Sequence, residues 1–519
     1  MAVGFSRDQW YNYIVDRSHP PVASAVVEKP EYDPDHVYAW KPANNYKGWK
    51  LIDRGEAGVD DASVIQSTID ALPNNKGKIV FKGFFEIDKP ITLPKNSCLA
   101  LVGIGKGASG IHNPNGLVLY GDYTDAYVTL YLADLKLTTG AGGSVLVARL
   151  KDSVLERCEF NSVISLRGGV GYGCRNVVVR DNLFTASSPC LDFGINMMGW
   201  NILIEHNRFT PTDKAVCMVV NNPYDNVIIR DNYINGSFAR FVDIYLGQET
   251  DVETNFMGTL VVEKNRIVRY TSAGWPDQFG LFSVYCDYEP VYQKIDKITF
   301  RDNKIWSETL KSSYTFIDFE TLGTSINELI IENNSVESSY TGDCWWIILA
   351  HSATAKRCIV KGNAFKHGHD IVVFKLFDST FDEMYVERNY FVVPSDKQVI
   401  YIQTNVNAGR IIAHKNAATV INFSNILSGT ELIRLHPDII ALKNSGIATF
   451  SGDGSKTQFL IAHGLASTPD KGKTRVWALS ADAADNFWID VDDTYIYVNY
   501  KTAPPSGTDN VVLGWYAEV

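Results

Sequence analysis

The 519-residue chain has no basic run, and its 48 Lys and Arg are outnumbered by 59 Asp and Glu, giving a formal net charge of −11. Such a field repels phosphate backbones and anionic lipid surfaces, which excludes nucleic acid as an expected partner. No apolar stretch approaches the roughly 18–20 residues that span a bilayer, and Met1–Trp10 lacks the basic start and apolar core of a signal peptide. The expectation is a chain that is neither inserted in a membrane nor exported by the general secretory route. Cysteine is sparse. Cys98, Cys158, Cys174, Cys190, Cys217, Cys286, Cys344 and Cys358 stand singly with no CxxC, excluding a zinc ribbon or dense disulfide framework and predicting mostly buried thiols. The ten His have no metal spacing, His367 and His369 included, so no metal and no cofactor are predicted. With 45% hydrophobic and 21% charged residues, disorder, collagen and coiled coil are excluded as well.

What the sequence does contain is a repeat. Three apolar residues, two polar or charged ones, Asn, any residue and an apolar residue recur as NVVVRDNLF at 176, NILIEHNRF at 201, NVIIRDNYI at 226, TLVVEKNRI at 259, KITFRDNKI at 297, ELIIENNSV at 328, RCIVKGNAF at 357 and EMYVERNYF at 383. The recurring residues are Asn182, Asn207, Asn232, Asn265, Asn303, Asn334, Asn363, Asn389, Asn416 and Asn444, spaced by 25, 25, 33, 38, 31, 29, 26, 27 and 28. A period of that size carrying short β runs predicts a stack of parallel β coils. Asn suits it twice over: it tolerates the left-handed backbone of a sharp bend, and stacked amides can bond up the column. With Asp134 and Cys158 read as earlier rungs, about twelve coils of about 4.8 Å each make a rod about 50–55 Å long. Ahead of it, residues 58–73 (GVDDASVIQSTIDALP) predict a helix capped by Asp60 or Asp61, with Ile65, Ile69 and Leu72 on one face, that covers the apolar end of the stack.

The segments VDDASVIQSTID, KIVFKGFFEI and CLALVGIGKG resemble the opening of the pectate-lyase-like superfamily of right-handed parallel β-helices, an opening that viral tailspikes share. The resemblance covers roughly residues 51–445. It implies the fold but not one activity, since the superfamily holds lyases, hydrolases, epimerases and non-catalytic adhesins. Residues 54–59 (RGEAGV) depart from its usual GDG-containing lead-in, and nothing matches the calcium or arginine signatures of pectate lyases.

Three domains follow: an irregular, Pro-rich arm over 1–50, the β-helix over 51–445 and a small C-terminal β-sandwich or barrel over 446–519, where TQFLIAHG, TRVWALS, FWIDVD, TYIYVNY and VVLGWYAEV alternate between turns. The last is read either as a trimerisation cap or as a carbohydrate-binding module using Trp477, Trp488 or Trp515, against core packing of those tryptophans.

In each coil a second strand follows the Asn by about 8–14 residues. Aligned on apolar positions (ISLR at 164, LDFG at 191, VCMV at 216, VDIY at 242, FSVY at 282, IDFE at 317, IILA at 347, FKLF at 374, IYIQ at 400, IRLH at 433), these strands predict outward Ser165 and Arg167, Asp192, Asp243 and Tyr245, Ser283 and Tyr285, Asp318 and Glu320, Lys375, Tyr401 and Gln403, and Arg434, with Trp346 also facing out. Asp243 and Asp318 are then two rungs apart, about 9.5 Å, and Asp318 and Glu320 about 6.5–7 Å apart on one strand. Inverting glycosidases hold two carboxyls about 6.5–9.5 Å apart to admit a water. Asp243, Asp318 and Glu320 are therefore the catalytic candidates, and Asp192, Arg167, Tyr245, Tyr285, Trp346 and Lys375 the glycan-binding ones, walled by the longest loops TDVETNFMG, TSAGWPDQ and CDYEPVYQKID.

The first functional reading is a virion-surface, tailspike-like receptor-binding protein, a homotrimer that recognises a host surface polysaccharide, with a glycoside hydrolase (polysaccharide depolymerase) as the enzyme these carboxylates would make. A free extracellular polysaccharide hydrolase or lyase is the second, and a non-catalytic surface rod the third.

Overall fold

A computed structural model describes residues 25–31, 33–42, 49–122, 126–140, 143–166, 173–185, 191–193, 199–211, 214–220, 224–237, 240–246, 255–270, 280–285, 293–308, 314–320, 325–338, 345–351, 353–377, 379–394, 399–404, 410–414, 416–418, 421–422, 431–434, 443–465 and 468–518. The chain winds as a right-handed parallel β-helix. Each full coil gives a long strand, a short strand just after the Asn, and a third strand in a separate thirteen-stranded sheet. The pairing is in register from coil to coil: Val177, Ile202, Val227, Leu260, Ile298, Leu329, Cys358, Met384 and Ile411 are successive partners in the long-strand column. All but Ile411, whose side chain is outside the described residues, are buried in one continuous core.

The turn between long and short strands explains the repeat. The left-handed residue is not the Asn but the one before it: Arg157, Asp181, His206, Asp231, Lys264, Asp302, Asn333 and Arg388 all have φ between 51° and 57°. Asp134 (φ 58°) belongs to this set, so Leu135, not Asp134, stands in the Asn position of its coil. The Asn side chains instead form the ladder. The Oδ1 of Asn232 accepts from the Asn207 backbone N–H (2.9 Å) and Nδ2 (3.1 Å), while its own Nδ2 donates to Asn265 Oδ1 and the Ile204 carbonyl, both at 3.0 Å. The same scheme runs without a break from Asn182, which accepts from the Cys158 N–H, to Asn416. Burying a bare turn would leave these N–H groups unsatisfied, and the amide supplies the missing acceptor. Asn444 is not a rung. It lies in the strand Lys443–Gly452 and pairs antiparallel with Ala517.

Charge alternates up the long-strand column beside that turn. Glu156, Arg180, Glu205, Arg230, Glu263, Arg301, Glu332, Lys361, Glu387 and His414 are successive partners. Arg230 meets Glu205 and Arg301 meets Glu263 at 2.6 Å, and Arg180 is bonded to Glu156.

Helix α1 (Asp61–Asp70) covers the N-terminal end, burying Val64, Ile65 and Ile69 against the core, with Leu72 just beyond. Asp60 stands at its N-cap, and the fully buried Asp61 ties the helix down: it pairs with Lys29 at 2.6 Å and accepts from the Glu86 N–H at 2.8 Å. The irregular arm expected over 1–50 does not extend that far. Ala25–Glu28 pairs parallel with Ile79–Lys82 as a rung, and His36–Pro42 pairs antiparallel with Trp49–Glu56. Among the described residues, Pro30 and Pro34 lie between these strands and Pro42 ends one, which a count of Pro does not reveal.

At the other end, two three-stranded antiparallel sheets enclose a second core containing Phe459, Ile496, Val498, Leu513 and Trp515. The three tryptophans divide: Trp515 is 6% exposed, whereas Trp477 and Trp488 are 46% and 56% exposed on the outer faces, contrary to core packing for those two.

Candidate functional site

The thirteen-stranded sheet carries the candidate residues. Its pairing puts Ser165, Asp192, Cys217, Asp243, Ser283, Asp318, Leu349, Lys375 and Gln403 in one column. Val219, Tyr245, Tyr285, Glu320, His351 and Phe377 form the column two residues further along each strand. The register thus brings Asp192, Asp243, Asp318 and Lys375 into one line, with Tyr245, Tyr285 and Glu320 in the next. Cα partners on neighbouring strands are about 4.8 Å apart, which makes Asp243 and Asp318 about 9.6 Å distant along the rod axis and Asp318 and Glu320 about 6.5–7 Å distant along the strand.

Asp243 is fully buried, contrary to the solvent-facing position expected for it. Its strand neighbours Val242 and Ile244 belong to the hydrophobic core, so alternation places Asp243 on the other face of the strand. Alternation says which face a residue takes, but not what covers that face.

Three strands depart from the alignment expected of them. On the strand Val399–Thr404, Ile402 rather than Ile400 pairs with Phe374, so Gln403 and not Tyr401 stands beside Lys375. Ile348, not Ile347, pairs with Ile317, so the rung beside Asp318 and Glu320 contributes Leu349 and His351. Trp346 pairs with Thr315 and Val372, three positions before the Asp318 column. The sequence WWIILA offers six successive apolar residues that fit either phase, and Ile347, Ile348 and Ala350 are all buried. Arg434 falls on another sheet altogether: Glu431–Arg434 pairs with Arg410–Ala413 in the long-strand column. His351, beside Glu320, is the residue that sequence reasoning missed.

Arg167 lies outside the described residues, as do 250–254 of the expected wall TDVETNFMG, all of TSAGWPDQ and 286–292 of CDYEPVYQKID; the remainders of the first and third, 255–258 and 293–296, are strand rather than loop. The side chains of Asp192, Tyr245, Tyr285, Asp318, Glu320, Trp346 and Lys375 lie outside them as well, so their backbone register is what places them. Among the described residues no three His, Cys, Asp or Glu gather as a metal site.

No protein-family profile and no curated protein matches the chain. Solved structures do. The tailspike protein of E. coli bacteriophage HK620 in complex with pentasaccharide is 12% identical, with 88% of this chain and 90% of that one covered and a TM-score of 0.37. An exopolygalacturonase from Thermotoga maritima is 12% identical over 82% of this chain and 96% of its own, with a TM-score of 0.39. The tailspike protein of Acinetobacter baumannii phage AM24 is 10% identical over 97% and 94%, with a TM-score of 0.35. At these values none of them says what this chain binds.

Proposed function

We propose that this protein is a tailspike-like receptor-binding protein of a virion surface, acting outside the cell as a homotrimer, that grips and hydrolyses a host surface polysaccharide along its thirteen-stranded sheet. The observation that carries the reading is the register column of Asp192, Asp243, Asp318 and Lys375, with Glu320 two residues beyond Asp318 on the same strand. Asp318 and Glu320 form the catalytic pair. One carboxyl protonates the glycosidic oxygen as the bond to the anomeric carbon breaks, and the other takes a proton from the water that attacks that carbon; about 6.5–7 Å leaves room for the water. Each carboxyl of the pair is a like charge to the other, which favours the protonated form that a general acid needs; Asp243, two rungs away and fully buried, takes no part in the proton transfers. Tyr245, Tyr285 and Trp346 offer flat faces to sugar rings, while Asp192, Arg167 and Lys375 bond to their hydroxyl and charged groups.

The test is incubation with a panel of bacterial surface polysaccharides followed by product sizing. Shortened products from the wild type, lost in Asp318→Asn and in Glu320→Gln while circular dichroism and binding persist, are expected, since an amide keeps the shape of the carboxyl but cannot transfer its proton. Undiminished cleavage by both variants would refute the assignment.

A further inference from the structure

A cleft of about 500 Å³ opens on a different face, at the N-terminal end of the short-strand column. Phe84, Gly110, Lys136 and Glu159 are successive partners there, with His112 and Thr138 two residues along. Phe84 is 52% exposed, an unusual place for a phenyl ring in a chain whose other core-strand phenylalanines, such as Phe85 and Phe81, are buried. Gly110 makes room for it. A Cβ on Gly110 would lie 2.8 Å from the Phe84 ring and 2.7 Å from the Lys136 carbonyl, so only glycine lets the ring lie across the strand. Lys106, on the exposed loop following Gly105 (φ 133°), forms one wall, and Lys136, His112, Thr138 and Glu159 form the other. Lys136 is committed to Glu159 at 2.7 Å, and His112 Nδ1 to Thr138 Oγ1 at 2.9 Å. Lys106 makes no ion pair among the described residues.

The same column carries a second cationic and aromatic cluster further along the rod. After Glu159 and Leu183 it continues through Arg208, Tyr233, Arg266 and Lys304. The guanidiniums of Arg208 and Arg266 lie 5.6 and 5.7 Å from the Tyr233 ring centroid. In a chain of net charge −11, this column sets Arg208, Arg266 and Lys304 around Tyr233, and Lys106 lies beside Phe84 at its start, while Lys136 is balanced by Glu159.

We infer that this face is a second polysaccharide-binding track, separate from the proposed cleavage sheet, and that it takes a glycan carrying carboxylates, of the uronic-acid type. The Phe84 ring stacks on the apolar C–H face of a sugar held in the cleft, Lys106 pairs with its carboxylate, and the polymer runs on to Arg208, Tyr233 and Arg266. About seven strand spacings, some 30–35 Å, separate Phe84 from Arg266, so a polymer engages both clusters where a short oligomer fills one. A neutral glycan would satisfy the ring and leave the cations unused, which is why charge complementarity selects the acidic class.

The experiment measures binding of polygalacturonate and of a neutral dextran of similar length by isothermal titration calorimetry to the full chain, in the Asp318→Asn background so that nothing is cut. Polygalacturonate should bind, with affinity falling as salt rises, and dextran should not. Phe84→Ala and Lys106→Ala, both at exposed positions, should each weaken binding about tenfold, and Arg266→Ala should weaken the polymer but not a trigalacturonate. Absence of polygalacturonate binding, or binding unchanged in Phe84→Ala and Lys106→Ala, overturns the inference. Cleavage of the surface-polysaccharide panel by Phe84→Ala at the wild-type level is expected, so failure of the track and failure of the cleavage assignment are read separately.

Discussion

Replacing Asn232 by Ala is the most direct probe of what holds each coil to the next. Asn232 is 2% exposed, and its amide makes four bonds: it accepts from the Asn207 N–H and Nδ2 and donates to Asn265 Oδ1 and the Ile204 carbonyl. Truncation strips the buried Asn207 N–H and Nδ2 of their shared acceptor and takes a donor from Asn265 Oδ1 and the Ile204 carbonyl. An orphaned buried donor costs about 1–3 kcal/mol and each of the lesser losses about 0.5–1.5, so the variant should lose roughly 3–5 kcal/mol. For a chain of this length, at about 1 °C per kcal/mol, that is a fall of roughly 3–5 °C in Tm. The control is the second Asn column, where Asn201 donates to Asn176 at 3.0 Å and Asn226 donates to Asn201 at 3.3 Å at the margin of solvent. Asn201→Gly keeps the left-handed backbone (φ 57°), frees partners that water can serve, and should cost about 0.5–1 kcal/mol. Asn232→Asp separates acceptor from donor: the carboxylate still accepts from Asn207 but faces Asn265 Oδ1 with no proton. Burial and that opposed acceptor raise its pKa, so its penalty should be largest at neutral pH and shrink as pH falls towards the unfolded value near about 4. Thermal and urea melts followed by circular dichroism give the numbers. An Asn232→Ala loss below 1 kcal/mol, or one no larger than that of Asn201→Gly, would refute the ladder as a main source of the stacked coils' stability.

Burial opposes ionisation of Glu156, but the Tyr131 hydroxyl with the Arg180 and Arg157 guanidiniums outweighs it and holds the carboxyl below its ordinary value of 4.5. Its stabilisation is therefore complete above that value and lost as pH falls through the lower folded value, so the Tm gap between wild type and Glu156→Gln should be widest near pH 7 and close towards pH 2; a gap independent of pH would contradict this. Burial pushes the thiols of Cys158 and Cys174 up to about 12 and that of Cys358 well above its ordinary value. Iodoacetamide at pH 8 should leave all three unmodified in the native chain and alkylate them in urea, as peptide mass mapping would show. Multi-angle light scattering should give three times the chain mass, and a value near 57.8 kDa would exclude the trimer.

The coil fold was legible because its two strongest signals are local and periodic. An Asn between apolar triplets recurs whatever the length of the loop that follows, and the triplets show which residues face the core. The limits were equally local. Pattern placed Asn in the left-handed position, yet that backbone belongs to Asp181, His206 or Lys264 one residue earlier, because ladder geometry needs the amide and not the bend. Asn444 satisfied the spacing and failed the fold, since spacing does not distinguish a coil from the first strand of an antiparallel sheet. The column from Asp192 to Lys375 was readable wherever an apolar residue alternated with a polar one, and WWIILA broke it, because six apolar residues in a row carry no phase. Burial of Asp243 was beyond reach for a different reason: alternation gives the face of a strand and carries no information on what lies over that face.

The alternating charges explain how a rod of near-identical coils avoids pairing out of step. Apolar triplets and Asn are alike in every coil, so neither penalises a slip by one. The charge column does. Glu205 lies between Arg180 and Arg230, and a one-coil slip would set Glu against Glu and Arg against Arg along the whole face. At about 5 Å each such contact costs about 1–3 kcal/mol near the surface, summed over every rung moved. The left-handed residues repeat the scheme in opposite phase, with Arg157, His206 and Lys264 on the Glu rungs and Asp181, Asp231 and Asp302 on the Arg rungs. His206 accordingly sits 4.0 and 3.9 Å from Asp181 and Asp231. A slip by two coils restores both patterns, and there the unequal coil lengths take over, because spacings of 25, 25, 33, 38 and 31 do not superpose on themselves when moved by two. Long insertions cost little in loop entropy. The three longest, 33, 38 and 31, fall on the coils that carry Asp243, Tyr285, and Asp318 with Glu320, so the same irregularity that completes the register adds chain next in sequence to the strands of the proposed cleavage face.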